Sequence, residues 1–87
     1  MRYTISPDAA CAAVDDGTVV LNMRTKRYYS LNETGAVIWK MLEDDASVPV
    51  VVAKLVASYD VDAATAADTV AQLLEELTAE ALIAPAR

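Results

Sequence analysis

The 87-residue chain has no histidine and no phenylalanine, two glycines, one cysteine and one tryptophan. Each scarcity removes a class of chemistry. Without histidine the usual general base at neutral pH is missing, and neither a Cys–His nor a Ser–His pair can be assembled. Gly17 and Gly35 alone cannot form a phosphate-cradling loop. Cys11 allows no internal disulfide, and a Cys/His metal cluster is out of reach, so no cofactor or metal is expected. In the apolar run Ala9–Val14, Cys11 reads as a small buried hydrophobe. Acids do occur in pairs (Asp15/Asp16, Asp44/Asp45, Asp60/Asp62, Glu75/Glu76), but in turns and on helix faces these act as solvated or capping charges. Neither Asp44-Asp45 nor Asp60-Val61-Asp62 matches a calcium loop. The chain reads as a non-enzyme.

Basic charge is scarce too: seven Lys and Arg stand against thirteen acids, a formal net charge of −6. A nucleic-acid ligand would need phosphates neutralised, which this balance does not provide. The cluster Arg24, Lys26, Arg27 reads as a solvated turn. No apolar stretch is long enough for a membrane span, and Met1–Asp8 lacks the apolar run of a signal peptide, so a cytoplasmic protein is expected. Length and a 55% hydrophobic fraction predict one domain over residues 1–87, near the lower size at which a single core suffices.

What is present is a clear succession of patterns. The spacing predicts a strand over Ala9–Val14 at the chain end, a turn at Asp15-Asp16-Gly17, and a second strand over Thr18–Met23. A turn at Arg24-Thr25-Lys26 leads to a third strand, Arg27–Leu31, with Tyr29 and Leu31 on one face. That strand runs without a loop into a helix over 33–43, capped by Asn32, with Glu33 in its first turn and Trp39 in the core. Ser47 is placed to cap a second helix, with Pro49 in its first turn and a stripe of Val48, Val51, Val52, Leu55, Val56 and Tyr59. Asp62 caps a third helix reaching about Thr78. Its apolar face is Ala66, Ala67, Val70, Leu73, Leu74 and Leu77, and its wet side is Asp68, Gln72, Glu75, Glu76 and Glu80. Leu82-Ile83 should tuck onto the core and Pro85–Arg87 fray. Three antiparallel strands followed by three helices make an α+β fold, winged helix-turn-helix-like. The third strand would be a sheet edge.

Three segments, Tyr28–Gly35 with Ile38-Trp39, Leu55–Asp62, and Ala67–Val70 with Leu73–Leu77, resemble the PqqD-like proteins. These are the precursor-recognition elements of pathways that make and modify ribosomal peptides. The likeness covers roughly Asp8–Ile83. Leu-Asn-Glu-Thr-Gly followed by Ile-Trp is more similar to the stand-alone leader-binding proteins of lasso-peptide pathways than to the pyrroloquinoline quinone protein. Two positions depart from the family: Lys26 and Ala81 stand where glycine is common.

The resemblance implies a non-catalytic adaptor. It would bind the leader of a precursor peptide as an added antiparallel strand, in the cleft between the third strand and the third helix, and present it to a leader peptidase or other modifying enzyme. β-Augmentation of this kind draws affinity from backbone groups and specificity from side-chain pockets. The implied binding residues are Arg27, Tyr28, Tyr29, Ser30 and Leu31 on the edge and Ala66, Thr69, Val70, Leu73 and Leu77 on the helix. For Tyr29, Leu31, Val70, Leu73 and Leu77 plain core packing is the competing role. Two copies pairing through the same edge would form a homodimer. Two other functions stay open: a peptide chaperone for a radical S-adenosylmethionine enzyme, and a winged-helix DNA-binding regulator. The second would need basic charge on the third helix, and Ala63–Thr78 holds no Lys or Arg.

Overall fold

In a computed structural model of the chain, residues 2–14 and 17–86 are described. Eight elements follow one another: β1 (Tyr3–Ile5), β2 (Ala9–Val14), β3 (Gly17–Asn22), β4 (Arg27–Leu31), α1 (Glu33–Glu43), α2 (Val48–Ser58), α3 (Ala63–Ala79) and β5 (Ile83–Pro85). The architecture is α+β, as the patterning indicates: an antiparallel sheet in the order β2-β3-β4 with three helices behind it. Register pairs Cys11 with Val20 and Val20 with Tyr29, so Val20 is the sheet's central inward residue and is fully buried. Around it Leu31, Ile38, Trp39, Leu42, Val51, Leu55, Val70, Leu74 and Leu77 form one core.

Local chemistry sets the helix starts. Asn32 Oδ1 accepts the Gly35 N–H at 2.8 Å, and Asp62 Oδ1 accepts the Thr65 N–H at 2.7 Å, so each cap satisfies a donor that the first turn leaves free. Ser47 holds the N-cap of α2 but makes no side-chain bond there, contrary to the role read from the sequence; Pro49 in the first turn removes one of the donors a cap would serve. At the hairpin's far end Gly17 has φ +148°, and a Cβ there would lie 2.5 Å from the Leu31 carbonyl oxygen, so only glycine fits. Asp15 and Asp16 of the expected turn fall outside the described residues.

Three expectations are corrected. The Ala9–Val14 strand is not terminal, because β1 precedes it and pairs antiparallel with β5, Tyr3 opposite Pro85 and Ile5 opposite Ile83. Pro85 therefore does not fray, and the Ala86 N–H continues the ladder to the Arg2 carbonyl at 2.9 Å. Cys11 is exposed, since β2 pairs only with β3 and four of its six residues face solvent. Leu82 and Ile83 do pack into the core, 1% and 3% exposed.

Among the described residues one polar side chain is buried, Asn22, 1% exposed. Its Nδ2 donates to the carbonyls of Glu80 and Ala81 at 3.1 and 3.3 Å, and its Oδ1 accepts the N–H groups of Arg24 and Thr25 at 3.0 and 3.2 Å. One amide thus ties the β3–β4 turn to the C-terminus of α3. Replacing Asn22 with Ala orphans these partners and should cost about 2–3 kcal/mol in chemical denaturation. Lys26 and Ala81, the two departures from glycine, sit at φ 66° and 58°, in the left-handed region. Ala81→Gly should accordingly raise stability by about 1 kcal/mol, read as a higher denaturation midpoint at unchanged m-value.

Candidate functional site

β4 is an edge of its sheet. Every second residue of such a strand turns its N–H and C=O away from the neighbour, and here they face α3 rather than another strand. Between β4 and α3 lies a groove of about 460 Å³. Leu31, Ile38, Leu55 and Ala66 form its apolar floor. Asn32, Thr34 and Gly35 at the start of α1, with Tyr59 and Val61 beyond α2, line one end. Thr69, Gln72, Leu73 and Glu76 line the α3 wall.

Both walls follow from local rules. Alternation along β4 turns Tyr29 and the buried Leu31 toward the helices, and Tyr28 and Ser30 the other way. Because strand passes into helix without a loop, Gly35 stacks directly over Leu31; a Cβ on it would lie 3.2 Å from Leu31 Cδ2, crowding the groove floor. On α3 the helical period splits the inner surface into two stripes. Ala66, Val70, Leu74 and Leu77 face the core, whereas Ala66, Thr69, Leu73 and Glu76, at spacings of three and four, face the groove.

Two polar links join the walls. The Tyr29 hydroxyl donates to Glu76 Oε1 at 3.0 Å. The Arg27 guanidinium donates to both carboxylate oxygens of Glu80, Nε to Oε1 at 3.0 Å and Nη2 to Oε2 at 3.2 Å. Removal from water raises the Tyr29 pKa above its ordinary value, with the Glu76 hydrogen bond and the charges of Glu76 and Glu80 adding to the rise. The Asp62 carboxyl at the α3 cap is held low by the Thr65 N–H. Among the described residues, no group of three or more His, Cys, Asp or Glu could hold a metal ion. No described helix is long and apolar enough to cross a membrane.

Of the ten residues expected at the site, Tyr29, Ser30, Leu31, Ala66, Thr69 and Leu73 line the groove. Arg27 stands at its margin, tied to Glu80. Tyr28 is 69% exposed on the outer face of the sheet, opposite Leu21. Val70 and Leu77 are 1% and 0% exposed and belong to the core stripe of α3. Gln72 and Glu76, read from the sequence as solvent-facing, stand in the groove wall. Their signal was present: Glu76 lies three residues after Leu73 and seven after Thr69, on the same stripe. Tyr59 and Val61 carried no such signal, because they reach the groove only through the packing of the α2–α3 turn.

A family model described as coenzyme PQQ synthesis protein D (PqqD) matches residues 17–83. Two solved structures are similar over nearly the whole chain. One is lasso peptide synthetase B1 complexed with the leader peptide, with 29% identity, a TM-score of 0.90, and 98% of this chain and 100% of that one covered. The other is TbiB1 in complex with the TbiA(beta) leader peptide, with 28% identity, a TM-score of 0.88, and coverage of 97% and 98%. A comparison with curated protein sequences found no match.

The raised Tyr29 pKa has a consequence for stability. The folded state holds the phenolic proton more tightly than the unfolded chain does. The stabilisation is therefore complete below the ordinary tyrosine value of 10.0 and is lost as pH climbs through the folded value. Absorbance at 295 nm should show Tyr29 titrating later than in the denatured chain. Tyr29→Phe should flatten the fall of melting temperature above pH 10.0.

Proposed function

The chain belongs to the PqqD family, and on that footing we propose that it is a leader-peptide-binding adaptor of ribosomal peptide modification, of the lasso-peptide kind. The observation that carries this reading is the free edge of β4, facing an apolar-floored groove whose far wall is α3. An extended peptide laid antiparallel on β4 would satisfy the outward backbone groups and drop alternate side chains onto Leu31, Ile38, Leu55 and Ala66. The likeness to two chains in complex with leader peptides supports the same occupant. In this reading residues 1–87 act as one leader-binding domain. Tyr29, Ser30 and Leu31 supply the edge, Ala66, Thr69 and Leu73 the opposite wall, and Arg27, Tyr28, Val70 and Leu77 border or support it.

The protein itself performs no chemistry here. It holds the leader so that a separate enzyme, a leader peptidase or another modifying enzyme, acts on the attached core peptide. The absence of histidine and of any phosphate-cradling glycine loop supports a non-catalytic role. A cytoplasmic setting suits a binder of unmodified, newly made peptide. A winged-helix DNA-binding role is disfavoured by α3, which carries Asp68, Glu75 and Glu76 and no base. Self-pairing of the β4 edge is also disfavoured, because a second copy's sheet would have to enter the space between β4 and α3.

Affinity at the micromolar level or tighter, about −8 kcal/mol, is expected for one augmented strand with pocket contacts. An amide NMR titration with the unmodified leader segment of the precursor encoded beside this chain tests it. Shifts should concentrate in Arg27–Leu31 and on the Thr69–Leu73–Glu76 stripe. A folded protein whose spectrum the leader leaves unchanged would refute the adaptor reading for that peptide.

A further inference from the structure

We propose that Glu76 is a specificity-determining residue that selects a leader carrying a basic side chain two positions after the apolar residue seated over Leu31. This rests on the leader-binding reading above. Among the described residues, Glu76 is the only charged one lining the groove. The other acid on this wall, Glu80, is already neutralised by two contacts from Arg27. Glu76 receives only the uncharged Tyr29 hydroxyl, and no Lys or Arg pairs with it among the described residues. Its neighbours on α3 deepen the negative field, because Asp68 and Glu75 are acids and the helix has no base. The groove thus offers a full negative charge beside an apolar floor.

Strand geometry turns this into a sequence pattern. Residues directly opposite one another in an antiparallel pair share a face, with Cβ atoms about 4.5–5.5 Å apart. A peptide antiparallel to β4 meets Leu31 first and Tyr29 two residues later, and both of those side chains face the helices. The peptide side chain opposite Leu31 enters the apolar floor. The one opposite Tyr29 is directed at Glu76. Read from N- to C-terminus, the bound segment is apolar, any residue, then Lys or Arg. The incoming cation replaces the hydroxyl as partner of the carboxylate, a charge-assisted contact for a neutral one.

The probe is a fluorescein-labelled synthetic peptide of the unmodified leader encoded beside this chain, titrated by anisotropy against the full-length protein. Each Lys and Arg of the leader is changed in turn to Gln. One such change should weaken binding about tenfold, and Glu76→Gln should weaken the parent leader by a similar factor. The two changes together should cost no more than either alone. Glu76→Lys should bind the parent leader poorly and recover affinity for a leader whose selected base is changed to Glu, a rescue that a purely structural role would not produce. Because Glu76 is exposed, amide spectra should show every variant folded. If the wild-type protein binds the leader and no basic position or Glu76 variant alters the dissociation constant by more than twofold, the assignment of Glu76 is wrong while leader capture stands. If the folded wild-type protein does not bind the leader at all, the adaptor reading fails and this inference fails with it.

Discussion

The structure depends on the four hydrogen bonds of the buried Asn22 amide. No other side-chain type could take this place easily. The Glu80 and Ala81 carbonyls need a donor and the Arg24 and Thr25 amides need an acceptor, and a carboxylate would lack the first while an apolar residue would lack both. The amide fixes where the β3–β4 hairpin turns relative to where α3 ends. Glu80 is itself one of these anchors and Arg27 follows two residues after Thr25, so their ion pair is set by the same constraint. Tyr29 and Glu76 follow one step deeper, and the groove opens between them. The spacing of its walls is therefore held at a point remote from the floor, by bonds centred on a buried side chain.

An edge strand is ordinarily a hazard, since its unpaired backbone can recruit any passing strand. Here the exposure is restricted by the helix opposite. α3 stands far enough from β4 to leave a groove and close enough for Tyr29 and Arg27 to reach across it. The exposed edge thus opens onto a space bounded by a helix, and no proline stands on the edge itself.

Much of this was legible in the sequence because the signals were local. Asn32 and Asp62 announced their helices, and both caps are made. The period-two run of Arg27–Leu31 and its direct passage into α1 are found as read. What escaped was set by tertiary contact. Tyr3–Ile5 is too short for a period to emerge, and it is a strand only because Ile83–Pro85 lies beside it. Asn22 looked like an ordinary strand end; nothing in its neighbours revealed that α3 would finish 58 residues later against its side chain. The apolar face of α3 could be drawn, but its division into a core stripe with Val70 and Leu77 and a groove stripe with Thr69, Leu73 and Glu76 depends on how the helix is rolled against the sheet. That roll goes with the packing of α3 against α2 and β5, so the spacing within α3 draws both stripes but does not say which one meets the core.

The β1–β5 pairing separates spatial order from chain order. With Tyr3 opposite Pro85, the path through the molecule is nearly a closed ring, and both ends leave from one spot. The groove requires β4, α1 and α3 as neighbours in space but does not require the ring to be cut where it is. Opened at an exposed turn and joined across the present ends, the same sequence would retain every contact of the groove in a rotated order. Anything tethered to either end would likewise hang from a single point, beside the β1–β5 ladder.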